Sequence, residues 1–149
     1  MKKNYIPTIN IDSLLRNNFD TKKAKSTLEK IKKASVEVGF FQITKHGISK
    51  KDINDIAKVG NNFFKSSDSN KMKLAPKKWN KLNNNVYRGY FPSDVNGKEG
   101  LDIGDPMISS FFVKKIKRKK IEKLNLSKSL SKNSINIIKK YYGEIFNLS

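Results

Sequence analysis

Cysteine is absent from the 149 residues, and histidine and tryptophan occur once each, as His46 and Trp79. Without cysteine there are no disulfides, no thiolate nucleophiles and no cysteine-held zinc or iron–sulfur centre. A reducing compartment is compatible with that lack. A lone imidazole cannot supply a metal site built from two histidines and a carboxylate, and no Ser-His-Asp arrangement is recognisable around it. No glycine-rich phosphate loop is present. Met1-Lys2-Lys3-Asn4-Tyr5-Ile6-Pro7 has two cations but lacks the apolar run of about 7–15 residues that a secretory signal needs. No stretch approaches the ~18 apolar residues of a membrane span. The cytoplasm is the default expectation.

Arginine is also scarce, although the chain carries a net charge of +19. Of 32 basic residues only Arg16, Arg88 and Arg118 are arginine. Readers of phosphate and base edges favour the bidentate guanidinium fork, so a lysine-dominated charge speaks against a dedicated nucleic-acid surface. An excess of Lys, Asn and Ile is what an AT-rich coding sequence produces, and exposed lysines are well screened. Mean hydropathy is −0.65 and 36% of residues are hydrophobic, yet nine Phe, five Tyr and many Ile fall in periodic clusters. A modest core and a folded chain follow.

The pattern along the chain predicts an α+β fold. Ile6 to Asp12 alternates apolar and polar residues like a short strand, with Pro7 near its start. Asp20 or Thr21 can cap a helix whose apolar positions Ala24, Leu28, Ile31, Ser35 and Val38 recur at spacings of three and four, with Gly39 at its C-terminus. Phe40 to Thr44 reads as a buried strand, and Lys45-His46-Gly47 turns the chain. Ser49 and Asp52 match a capping box ahead of a second helix from about 50 to 66, striped by Ile53, Ile56, Ala57, Gly60, Phe63 and Phe64. Ser67 to Asn70 is a break that can open a short helix through Leu74, stopped by Pro76. Asn83-Asn84-Asn85 reads as a loop, Val86 to Pro92 as an extended segment, and Lys98 to Gly104 as another short strand.

Lysines 114, 115, 117, 119, 120 and 123, with Arg118, form the densest basic patch. One reading is a contact with phosphate or anionic lipid, and the other is a solvated surface. In the final helix Ile135, Ile138, Tyr142 and Ile145, flanked by Ile137, Tyr141 and Leu148, make a broad apolar face that must bury against something. Another chain or further sequence is expected to cover it, and the same holds for the Phe63-Phe64 face.

Several segments together resemble one family. The run Gly39-Phe40-Phe41-Gln42-Ile43-Thr44-Lys45-His46-Gly47-Ile48 is similar to G-F-F-x-[IVL]-x-N-H-G-[IVL], the entry motif of the isopenicillin N synthase-like iron(II)/2-oxoglutarate oxygenases. Ile6-Pro7-Thr8-Ile9-Asn10 resembles that family's opening strand. Phe63-Phe64 followed by Lys71 resembles F-F-x-L-P-x-x-x-K, here without the Leu-Pro. Arg88-Gly89-Tyr90-Phe91-Pro92 and Lys98-Glu99-Gly100-Leu101-Asp102-Ile103-Gly104 resemble its R-G-Y and K-E-x-[FL]-[DE]-[IF]-G segments. The match runs in order through residues 5–104. Beyond Gly104 the family's N-x-W-P segment is missing from Met107 to Lys123, which reads as an internal deletion or a disrupted frame. Tyr141 to Leu148 resembles the long helix that precedes the family's barrel.

The resemblance implies a non-haem dioxygenase N-terminal domain over residues 1–104, a divergent basic segment over 105–126, and a truncated long helix over 127–149. It implies an α+β segment of a double-stranded β-helix, or jelly-roll, oxygenase with most of the barrel missing. The intact family enzyme uses Fe(II) and 2-oxoglutarate and acts on a small-molecule substrate. Its metal triad, a His-x-[Asp/Glu] pair and a distant His, is not in this chain, because Ile48 stands two places after His46. No residue here is therefore a candidate ligand of iron or 2-oxoglutarate, and the barrel must come as further sequence or as a separately encoded subunit.

Gly39, Phe40, Phe41, His46 and Gly47 are read as a structural motif, with His46 a turn hydrogen bonder. Arg88 is the candidate substrate contact, since an arginine at the R-G-Y segment can clamp a carboxylate in a bidentate pair. Tyr90 is a second candidate, weighed against a core position. Glu99 and Asp102 are left open between paired carboxylate chemistry and salt bridges. The expected role is the N-terminal part of an oxygenase, inactive by itself. The alternative is a small lysine-rich module that binds nucleic acid or anionic surfaces.

Overall fold

The computed structural model describes residues 6–15, 19–93, 97–104 and 124–148. The basic patch at 114–123 and the expected deletion at 107–123 lie outside these residues. The described residues are α+β, in two compact units. One comprises residues up to Ser49 together with Leu148, and the other runs from Lys50 to Asn147.

In the first unit a short strand, β1 (Thr8–Asn10), pairs in parallel with β2 (Gln42–Thr44), bringing Ile9 opposite Ile43. A parallel pair needs a long crossover, and helix α1 (Thr21–Glu37) supplies it. Asp20 caps α1 by accepting the N–H groups of Lys22 and Lys23, each at 3.0 Å. These backbone hydrogen bonds, the one from Lys23 first, hold the Asp20 carboxyl below its ordinary pKa. Gly39, with φ of 90°, ends the helix by donating its N–H to the Ala34 carbonyl at 3.0 Å.

The buried stripe of α1 differs from the expected one. Ala24, Thr27 and Ala34 are buried with Ile31 half-buried, whereas Leu28, Ser35 and Val38 are exposed. Spacings of three, four and three also satisfy helical periodicity, and the small Ala34 packs with Ile9 of β1 and Ile11 just after it. The Phe40–Thr44 segment is corrected as well. Only Gln42–Thr44 forms a strand, and all three residues are exposed, as is Phe40. Among the described residues β2 pairs with β1 alone, in a two-stranded sheet.

The second unit begins with α2 (Lys50–Phe64), whose Ile56, Val59 and Phe63 line one face. Asp52 lies buried in its first turn and pairs with Lys140. Helix α3 (Asp68–Met72) is capped by Ser67, and strands β3 (Gly89–Phe91) and β4 (Gly100–Asp102) pair antiparallel. Helix α4 (Lys132–Phe146), capped by Ser131, packs on α2. The partner expected from outside for the α4 face is thus largely α2, because Ile138 is buried in one core with Val59, Phe63, Leu74, Ala75 and Tyr90. Ile145 and Phe146 remain exposed at the end of the helix.

Candidate functional site

Three of the sequence motifs converge in the second unit, around the β3–β4 hairpin. Gly89 faces Asp102 in the register, and Tyr90 faces Leu101. The strand lies tight against the turn after α3. Tyr90 donates its N–H to the Leu74 carbonyl at 3.1 Å, and a Cβ on Gly89 would sit 2.0 Å from that same oxygen. Gly89 has φ of 124°, so both the contact and the backbone require glycine.

Alternation along β3 sends Tyr90 into the core, where it is 4% exposed. Its ring meets Phe63 edge-on at 5.9 Å, and Phe63 meets Phe64 at 5.3 Å. The phenol donates to Glu99 Oε2 at 2.8 Å, and the Lys71 ammonium donates to the same oxygen at 2.9 Å. Lys71 also contacts Asp68 at 3.1 Å and the Phe64 carbonyl at 3.4 Å, and it stands over the Tyr90 ring at 5.4 Å. One buried ammonium therefore joins the end of α2, helix α3 and both sides of the hairpin. Hydrogen bonds to Glu99 and then Asp68 hold Lys71 above the usual lysine range, outweighing burial. Glu99 is held below the carboxylate range, chiefly by Lys71, and burial pushes the Tyr90 phenol up.

Arg88 occupies the outer side of the hairpin. Its Nη1 donates to both oxygens of Asp102, at 2.7 and 2.8 Å, in a half-exposed pair. A Cβ on Gly104 would lie 2.9 Å from Arg88 Nε, so the glycine makes room for the guanidinium. Asp102 also borders an open groove of about 480 Å³, whose apolar lining includes Phe91, Leu101, Ile103 and Tyr142. Glu99 and Asp102, left open by the sequence, are both salt-bridged and do not face each other as a carboxylate pair.

The Gly39 to Ile48 motif belongs to the first unit. His46 Nδ1 accepts the N–H of Ile48 at 3.2 Å, closing a turn in which Lys45 has φ of 58°. Phe41 packs on the core of Ile9, Ile11 and Ala34, while Phe40 points outward. Iron(II) in such enzymes takes two histidines and a carboxylate. Among the described residues no three of His, Cys, Asp or Glu come together, so they do not fit a metal. No described helix is long and apolar enough to cross a membrane.

Two features were missed by the sequence reading. Lys71 and Glu99 each stood in a motif, but nothing paired them across the chain. Asn83 sat in a run of three asparagines and looked like loop filler. It is 3% exposed, donates to the Lys73 and Ala75 carbonyls at 3.0 and 2.7 Å, and accepts from Lys128 at 2.6 Å.

Comparison with known proteins agrees with the motif order. The chain is 34% identical over 99 residues to the isopenicillin N synthase of Streptomyces griseus, covering 66% of this chain and 28% of that protein. It is 33% identical over 98 residues to the isopenicillin N synthase of Streptomyces jumonjinensis, again covering 28% of the relative. The chain thus spans less than a third of the length of the curated relatives it matches. The family model described as "non-haem dioxygenase in morphine synthesis N-terminal" matches residues 6–133. That match covers most of the sequence, and the chain belongs to this non-haem dioxygenase N-terminal family.

Proposed function

We propose that the chain is the N-terminal part of an iron(II)/2-oxoglutarate-dependent oxygenase acting on a small molecule, and that it turns over substrate only with a catalytic barrel. The observation that carries this reading is the family match over residues 6–133 in a chain with one histidine. The barrel would bring the metal ligands and the 2-oxoglutarate site, either as further sequence or as a separate subunit. The contribution of this chain is a face for substrate. Arg88 is its cation, and the neighbouring groove of Phe91, Leu101, Ile103 and Tyr142 suits an apolar body. A substrate carboxylate would exchange with Asp102 on the guanidinium, a swap between two acceptors of the same geometry. Tyr90 acts from behind, fixing the hairpin through Glu99.

The test is direct. The purified 149-residue chain with Fe(II), ascorbate and 2-oxoglutarate should release no succinate, and sustained succinate release would overturn the proposal. The reading frame just downstream should encode His-x-Asp and a later His. In the enzyme completed by that barrel, Arg88→Gln should raise KM for substrate about tenfold or more, with kcat less affected.

A further inference from the structure

The segment from Ser69 to Ser93 contains no aspartate or glutamate. Lys73, Lys77, Lys78 and Lys81 are exposed within it, and none has a carboxylate partner among the described residues. Beside them three apolar or aromatic side chains are turned to solvent: Leu82 is 91% exposed, Tyr87 78% and Val86 54%. These residues are not a slack loop. Leu74, Ala75 and Pro76 are completely buried beneath them, and the Asn83 amide is hydrogen-bonded to Lys73 and Ala75. The Lys77 N–H donates to the Asn85 carbonyl at 2.7 Å, folding residues 80–87 back over 73–77. The lysines and the exposed apolar side chains therefore share one braced projection. A leucine held 91% exposed incurs a cost in water that burial would remove.

We propose that this projection, from Lys73 to Tyr87, docks on anionic phospholipid surfaces, with Leu82 and Tyr87 entering the headgroup region and the lysines resting on the phosphates. Charge chooses the occupant. Cations alone would suit any polyanion, but an aliphatic tip flanked by lysines matches a surface that is anionic outside and apolar just beneath. Long lysine stems can bury their methylenes there while the ammonium stays hydrated. A tyrosine ring sits well at the same depth, being apolar along its body and polar at its end.

Trp79, the only tryptophan, lies in this segment with its ring 4.4 Å from Lys78 Nζ, so the wild-type chain carries its own probe. With vesicles of phosphatidylcholine and phosphatidylserine, Trp79 fluorescence should be quenched by brominated acyl chains, and vesicles of phosphatidylcholine alone should bind weakly. Leu82→Glu should weaken binding about tenfold or more, since it removes the inserted side chain and adds a repelled charge. K77Q/K78Q/K81Q should weaken it far more than K22Q/K25Q/K32Q, which removes the same charge from exposed positions on α1. Equal losses in the two triple variants, or unquenched Trp79, would overturn the proposal in favour of attraction by net charge alone. Tighter binding to a single-stranded oligonucleotide, lost with the same substitutions, would overturn it in favour of nucleic acid.

Discussion

The two units use similar ingredients to different ends. In the first, Ile9, Ile11 and Ala34 form one small buried cluster among the described residues, while Leu28, Val36, Phe40 and Ile43 face solvent around a sheet of two short strands. In the second, a cluster of seven buried residues among the described ones draws on α2, the β3–β4 hairpin and α4, and a buried lysine binds the pieces together. A helix and a strand pair are present in both. What differs is how many elements feed the core: apolar side chains bury well only where other elements cover them, and one helix covers less than two. In the second unit α2 and α4 pack on each other and share one core with Tyr90 of the hairpin. The first is expected to be the less stable of the two, with weaker hydrogen-exchange protection in α1 and β2 than in α2 and α4.

The sharpest way to break this contrast is at Gly89. A methyl group there would collide with the Leu74 carbonyl in a backbone that already has positive φ. Neither strand nor turn can give way cheaply, so Gly89→Ala should cost more than about 3 kcal/mol and abolish the cooperative Trp79 transition near ambient temperature. Retention of a wild-type melt would mean that the hairpin does not dock on Leu74. Asn83→Ala is expected to come next, at about 1–3 kcal/mol, because it strands the buried Ala75 carbonyl and the part-buried Lys73 carbonyl and releases the exposed Lys128 from this acceptor to water. A change within a few tenths would return the asparagine run to loop filler.

The Lys71 hub gives the second unit a pH dependence. Glu99 has its pKa depressed in the folded state, so its contribution is present above the ordinary carboxylate range and disappears as pH falls through the lower, folded value. Lys71 is raised, so its part is complete below the ordinary lysine range and is lost only as pH rises through the higher, folded value. Between those limits the hub is constant. Stability followed by Trp79 should therefore be flat across neutral pH and fall on the acid side, and Glu99→Gln should lower the plateau and flatten that acid limb. An acid limb unchanged in Glu99→Gln would assign the fall to other carboxylates.

How much of this was readable in advance divides along the same line. Helix positions were legible, since periodicity, the Asp20 cap and the break at Ser67 are local signals, although the Ser131 cap that starts the last helix was not read. The family motifs also contain the hairpin strands and Lys71, which the fold brings together. Their meaning was not local. Lys71 and Glu99 are 28 positions apart, and Asp52 and Lys140 are 88 apart, so only the fold could pair them. Burial failed for a related reason. Phe40 to Thr44 carries the composition of a buried strand, but burial depends on a covering layer that composition cannot supply, and on α1 two overlapping stripes fit one period. The candidate site was thus legible in its residues and illegible in its partnerships: Arg88 was named, but its pairing with Asp102 was not.

The smallest expected effect tests the first unit at its entry motif. Gly39 has positive φ, like Gly89, but nothing lies within 4 Å of where its Cβ would be. Gly39→Ala therefore incurs only the left-handed backbone penalty, about 1 kcal/mol, partly offset by the lower entropy of the unfolded chain. Exchange protection at the end of α1 should fall slightly while the Trp79 transition stays in place. If Gly39→Ala instead proved as damaging as Gly89→Ala, close packing would have to exist around the motif, and the first unit would be as fully covered as the second.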